Sequence, residues 1–600
     1  MKSLSRAAFP AAFLFCTLAS RTAAQEACAM GSVSRIFVDN HAIFDPDDLS
    51  GEQPFLWAYR LANTLHMRTD ESFVRSELLF EEGSCYDPAL LEESERLLRL
   101  HTFISSADVF GLRQPDDSWH VVVDTKDEWT TKLNVQVSID EGIELRGVDL
   151  AEENLLGQGV TAGVFFRERD ERRDVGARFF TPRVFGTRLD ARLSGGRTRI
   201  GRFVEEELFY PFVGEVGRLA ARQLYIRRDD LFPYSLGVLH PEEGEVTHVL
   251  LPLEEERIQV TVAARLGEPG NLTTFGLGIS NETLEFPGFP ENVEVVRRGD
   301  FEDREIADET LVEAIAPHTL HSSATRLNLL VGQRNVRFER RRRLDAITGI
   351  QDVAVGTDVG LTLGRSVPGL SGEEGQPDDL YARFRFFAGA APANVVVNGG
   401  LAVEGRQIFA GGTGGGGWRD VLAELDLLLY WQPSEGGPHT FFARLEGAGG
   451  WSLDQPFQLT LGGGAGVRGY HEADFPGGRR IVASVEDRIH LGWPLPHLVD
   501  LGLTFFADAG RVWPGSVPFG TDSGWRGSLG GGLRVGFPAG TRGVVRLDVA
   551  LPIGPGAGVA DAVFRVSLAD LVGLAGGFAD RQLERSRRIT VGPDLFTAAR

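Results

Sequence analysis

Lysine is nearly missing from this chain: Lys2, Lys126 and Lys132 are the only three among 600 residues. The net charge is −23. A chain this acidic lacks the basic surface that nucleic-acid binding needs. Long apolar stretches are missing too. After residue 25 no run of 18 apolar residues occurs, so no helix can be expected to span a bilayer. Cysteine is scarce, with three in all, and with 12 scattered histidines it forms no metal-ligand cluster. Catalytic signatures are missing as well. There is no G-x-S-x-G elbow, and His471-Glu472 has no second histidine at zinc-protease spacing. Asp45-Pro-Asp47-Asp48 does not follow the order of a calcium loop. The glycines from Gly411 to Gly417 are not followed by Lys-Ser/Thr, so they make a turn and not a phosphate cradle. The sequence predicts no enzyme, no cofactor and no metal.

What is abundant is glycine, 74 of 600 or about 12% against roughly 7% in average proteins, and phenylalanine, with 39. The aromatic content excludes a disordered chain. Lys2 and Arg6, the apolar run Ala7 to Ser20 and the small residues Thr22-Ala23-Ala24 read as a secretory signal peptide over residues 1–24. An exported chain without a helical span is either soluble or a β-barrel. Export leaves Cys28 and Cys85 in an oxidising compartment. They can form a disulfide or remain two buried thiols, and sequence does not choose between these.

Residues 29–129 mix strand and helix signals in the order β-α-α-β-β. Strand-like alternation runs from Val33 to Val38, and helical spacing from Glu71 to Leu79. Asp87 and Pro88 open a helix to Leu100, with Leu90, Leu91, Leu97 and Leu98 as its apolar stripe. Glu92, Glu93, Glu95 and Arg96 are expected to face water. Strands follow at Ile104 to Phe110 and His120 to Asp124. From 131 to 570 short alternating segments recur, about 20 in number, and only Glu302 to Ala316 reads as a helix. That region predicts a barrel, a propeller or tandem sandwiches, and the lack of a 40–50-residue repeat argues against the propeller. In Leu501 to Ala509 one face carries Leu501, Leu503, Phe505, Ala507 and Ala509, and the other Gly502, Thr504, Phe506 and Asp508. Similar alternation sets Arg534, Arg546, Asp548 and Arg565 opposite apolar faces. In a membrane barrel the charged face is the lumenal one. Asp487 breaks the pattern by falling on the apolar face, and is expected near a rim or beside a bulge.

The glycine-rich run Leu461 to Tyr470 ends in Val467-Arg468-Gly469-Tyr470. It resembles the signature loop of the bacterial outer-membrane protein assembly and transport superfamily, the surface-antigen family of Bam-type insertases, TamA-type proteins and two-partner secretion transporters. Phe506-Ala-Asp508-Ala-Gly510, Val485-Glu486-Asp-Arg488 and Arg546-Leu-Asp548-Val-Ala550 resemble the strands around that loop. Leu78-Leu-Phe80-Glu-Glu-Gly83, Asp87-Pro88 and Glu93 to Leu98 resemble a POTRA domain. The resemblance implies a mainly β protein: one periplasmic POTRA domain (29–129), then a large antiparallel transmembrane barrel (131–570). It implies 16 strands where counting gives up to about 20. It implies Arg468 tethered in the lumen by Glu486 and Asp508, with Arg488, Arg534, Arg546, Asp548 and Arg565 as further lumenal charges. Its partners would be the outer-membrane bilayer and unfolded or secreted client proteins, with no nucleic acid. A passive porin-like channel and a soluble secreted adhesin are the competing functions. Two features depart from the family: a single POTRA-like domain, and a C-terminal tail (571–600) beyond the last strand.

Overall fold

The structure is a computed structural model. It describes residues 28–43, 63–64, 66–139, 143–169, 172–238, 245–297, 301–367, 378–409, 416–434, 436–463, 466–471, 474–492, 499–554, 558, 561–569 and 580–586. The expected signal peptide lies outside the described residues, as does the tail apart from 580–586.

The N-terminal unit opens with β1 (Val33–His41), α1 (Glu71–Glu77) and α2 (Pro88–Leu100), and closes with β2 (Ile104–Arg113) and β3 (Trp119–Asp127). β3 lies between the other two strands, parallel to β1 and antiparallel to β2. Both helices start where an aspartate caps them: the side chain of Asp70 accepts from the Ser72 N–H and that of Asp87 from the Ala89 N–H. Phe73, Val74, Leu91 and Leu98 pack on Val33, Ile36, Val121 and Val123 to form the core. A Cys28–Cys85 disulfide joins the start of the unit to the loop before α2.

Among the described residues twenty strands close a single ring, from Thr131–Ile139 to Val563–Ala569. Two further short strands, Glu294–Arg297 and Arg304–Ile306, form an outgrowth. They do not interrupt the ring, because Asn271–Glu285 pairs directly with Ser322–Arg342. Counting segments therefore gave the ring its size, and the family's usual sixteen does not apply. The expected helix from Glu302 is confined to Glu309–Ile315. Asp308 caps it through the Leu311 N–H, and the residues before the cap are taken up by the short strand.

The barrel's polarity is inverted relative to a soluble sheet. Phe505 is 57% exposed and Asp508, three residues on in the same strand, is 4% exposed. Leu427, Leu429, Val485, Leu547, Val549 and Phe564 likewise lie on the outer surface, while Asp426, Arg488, Arg534 and Asp548 are buried within. Such an apolar exterior around a charged lumen is the arrangement a bilayer selects. Asp487 is outward-facing near one end of Arg479–Leu491, bonded at 3.0 Å to Nδ1 of His439, the first residue of the adjoining strand. The histidine supplies the polar partner an acid on that face requires.

The N-terminal unit docks over one end of the barrel, the near mouth. Arg99 forms a bidentate bond to Asp352 (2.7 and 3.1 Å), Arg340 reaches Glu95 at 2.8 Å, and Arg183 reaches Glu77 at 2.9 Å. The Glu215 N–H donates to Glu93 at 2.6 Å, and Arg542 donates to the His101 carbonyl at 2.6 Å. This corrects the expected solvated face of α2. Glu92 is exposed, but Glu95 and Arg96 are buried, and Glu93 is nearly so. Arg96 stacks on the barrel residue Phe338, 4.1 Å from its ring centroid. A charged helical face reads as solvated only if nothing charged is docked on it.

Candidate functional site

The loop that follows His439–Trp451 leaves the barrel at the far mouth and folds back inside. Its residues Leu461 and Val467 are fully buried with Phe475, Val482 and Val512. Glycine is required here by close approach. A Cβ on Gly466 would sit 1.5 Å from the Leu461 carbonyl oxygen, and one on Gly469 would meet Ser528 at 2.8 Å and the Pro552 nitrogen at 2.9 Å. The loop thus passes flush against the barrel wall.

Arg468 projects from that loop into the lumen. Its Nε and Nη2 donate to the two oxygens of Asp508 at 2.8 and 2.7 Å, and its Nη1 donates to Glu486 Oε1 at 2.7 Å. A planar fork with several donors can serve two carboxylates at once, which an ammonium cannot. Ser528 also donates to Asp508, at 3.2 Å. The guanidinium lies 3.5 Å from the centroid of the Phe506 ring, a cation–π contact in a desolvated site. Val467 anchors the loop by burial, and the Tyr470 hydroxyl donates to the Ile553 carbonyl at 3.2 Å.

The remaining sequence-predicted charges extend the same network. Arg488 donates to Glu486 Oε2 at 2.7 Å, and Arg546 donates to Glu486 Oε1 at 3.1 Å. Arg546 also pairs with Asp548 at 3.1 Å. Arg565 stands directly opposite Asp548 in the strand ladder. Arg534 reaches the carbonyl of Asp345.

Asp345 was not anticipated. It lies in the near-mouth turn between Ser322–Arg342 and Ile350–Ser366, and that turn also folds inward. Leu344, Ala346 and Ile347 are fully or almost fully buried. Asp345 Oδ1 accepts from Arg488 and from the Tyr430 hydroxyl, both at 2.8 Å. Its backbone is held by Gln351, whose Oε1 accepts the N–H groups of Asp345 and Ala346 at 2.9 and 3.0 Å. A signal was available: Leu344-Asp-Ala-Ile347 is too apolar for a solvated turn. Phe506 was missed too, although it shares the lumenal face of its strand with Asp508 two residues on.

Residues 441–569, which contain Arg468, Glu486 and Asp508, match the Omp85 superfamily domain. That match marks the C-terminal part of the barrel as an Omp85 superfamily domain. Among solved structures the chain is similar to BamA from Haemophilus ducreyi lacking POTRA domains 1–3, at 14% identity over 88% of this chain and 83% of that one, with a TM-score of 0.35. It is similar to CdiB from Escherichia coli at 12% identity, over 92% and 93% of the two chains, with a TM-score of 0.35. It is also similar to the outer membrane protein opdK from Pseudomonas aeruginosa, at 14% identity over 73% and 95%, with a TM-score of 0.30. No curated protein matches it. The Omp85 stretch runs to the end of the last ring strand, so the whole inward-folded far loop and both of its carboxylate partners fall within it.

Proposed function

We propose that this barrel inserts or translocates proteins at the outer membrane, with the N-terminal unit as a POTRA-like arm in the periplasm. The reading is non-enzymatic. The observation that carries it is the seam where the ring closes. The first and last strands share two residue pairs, Phe564 with Ile139 and Arg565 with Ser138. Every other neighbouring pair in the ring shares seven or more among the described residues. A ladder this short opens at little cost, and each freed edge can template an incoming strand through main-chain hydrogen bonds. The arm offers matching chemistry. β1 and β2 are edge strands of its sheet, and Phe37, Phe110 and Leu112 on them are exposed.

The test is a reversible lock. Ser138→Cys with Arg565→Cys places two thiols at paired positions across the seam. Oxidised, this variant should lose client insertion or export relative to its own reduced form, and reductant should restore it. A locked barrel that still handles clients would refute the seam as the working element.

A further inference from the structure

The ring-closing strand ends at Ala569, at the near mouth. Residues 580–586 nevertheless lie in the far half of the lumen, joined to that strand by residues 570–579. There the chain makes a dense set of contacts. The Gln582 amide brackets Thr460: Oε1 accepts the Thr460 N–H at 2.8 Å, and Nε2 donates to the Thr460 hydroxyl at 2.7 Å. Arg480, the first lumenal residue of Arg479–Leu491, donates to Gln582 Oε1 at 2.8 Å and to the Thr460 carbonyl at 2.6 Å, and pairs with Asp580. Asp580 caps the short helix Arg581–Ser586, its Oδ1 accepting the N–H groups of Gln582 and Leu583 at 2.9 and 3.1 Å. Its own N–H donates to Glu424 at 3.2 Å. Leu583 is fully buried among Leu422, Ala448, Leu453, Phe457 and Leu459. The Ser586 hydroxyl donates to the Pro456 carbonyl at 2.8 Å.

These groups form a receptor with a defined preference: an acidic helix cap, an amide two residues on, a leucine at the third and a hydroxyl at the sixth. Arg480 and Gln582 are 4% and 3% exposed, so each would be left with unmet hydrogen bonds if the other withdrew. Among the described residues the segment pairs with no barrel strand, and the ring closes without it. It can therefore leave without breaking a ladder bond. Its seat includes Pro456, Leu459 and Thr460, which belong to the same far loop that carries Arg468.

We propose that the far half of the lumen is a peptide-binding site whose resident ligand is the chain's own segment Asp580–Ser586, which seals the pore as a displaceable plug. The experiment uses purified full-length protein in planar bilayers, beside the double variant Gln582→Ala/Leu583→Asp and a chain ending at Ala569, with heat-modifiable mobility as the control for folding. Both altered proteins should conduct several-fold more than wild type. The double variant should become open to trypsin at Arg581 and Arg585. A synthetic peptide of residues 578–588 should return the shortened chain to the wild-type level, and the same peptide with Leu583→Asp should not. Millimolar peptide is needed, because a short tether supplies an effective concentration of about that order. Should the shortened chain fail to insert, the full-length double variant decides alone. Unchanged conductance and an unchanged tryptic pattern in the double variant would overturn the proposal. So would a conducting shortened chain that the peptide fails to block, or one that both peptides block equally.

Discussion

Arg468 and Arg488 hold opposite oxygens of one carboxylate: Arg468 Nη1 bonds Oε1 of Glu486 and Arg488 Nε bonds Oε2, each at 2.7 Å. Arg468 arrives on the far loop, and Arg488 in turn holds Asp345 of the near turn. Glu486 is thus the joint between the inward folds of the two mouths. Arg468→Ala should free the far loop alone, and Glu486→Gln should loosen both. Breaking a buried pair of this kind costs about 3–5 kcal/mol. Arg468→Lys should serve poorly, and Arg468→Ala with Asp508→Asn should recover part of the loss, since one unpaired carboxylate is gone. Limited proteolysis with mapped cleavage sites checks this on barrels that still show heat-modifiable mobility. Identical cleavage patterns for wild type and Arg468→Ala would disprove the tether.

The docking of the N-terminal unit depends on Arg99, which is buried between Glu95 and Asp352. Arg99→Ala should leave Asp352 without its bidentate partner and Glu95 with Arg340 as its remaining arginine, and so loosen the unit on the near mouth. Hydrogen exchange in Ile350–Ser366 and α2 should rise together in the full-length variant. Exchange that stays at the wild-type level in both would show that the remaining contacts suffice.

Reduction of Cys28–Cys85 should destabilise the N-terminal unit by about 2–5 kcal/mol, the usual cost of losing a native bridge from a small exported domain. Denaturant titration of the full chain, followed by Trp119 fluorescence with and without reductant, measures it. Superimposable curves would show the bridge to be dispensable.

His318 gives a pH dependence outside the barrel strands. Burial pushes its pKa below the ordinary histidine value, while its bond to the Leu453 carbonyl and the nearby Asp454 and Asp420 act the other way. Folding therefore disfavours the protonated ring. The stability contributed by burying the neutral ring is fully present above the unfolded value of about 6.5 and is lost as pH falls from there through the lowered folded value. Protease cleavage around Leu453 should increase between pH 7.5 and 5.5 in wild type, and His318→Gln should abolish that increase. An equal increase in both proteins would assign the effect elsewhere.

Much of the architecture could be read from period-two alternation, because a membrane barrel buries every second residue and exposes the others to lipid. Glu486, Asp508, Arg534 and Asp548 could be assigned a face without any coordinates for that reason. Alternation says nothing about segments that leave the wall. Asp345 sits in a turn, Gln582 in a tail and Glu95 on a helix with no visible partner, and each was missed or misjudged. What these three share is a partner far away in sequence: Arg488, Thr460 and Arg340. Local pattern carries no information about such pairings.

The ring of twenty strands has a consequence for what the protein must do with its interior. Barrel diameter grows roughly linearly with strand number, so twenty strands enclose about one and a half times the cross-section of sixteen. That additional area is occupied by polypeptide from three separate places: the loop of Arg468, the turn of Asp345 and the segment of Gln582. They are not held independently: Glu486 links the first two, and the Gln582 segment bonds Thr460 of the loop that carries Arg468. The bore is therefore expected to widen in linked steps, since freeing one occupant removes bonds from its neighbour.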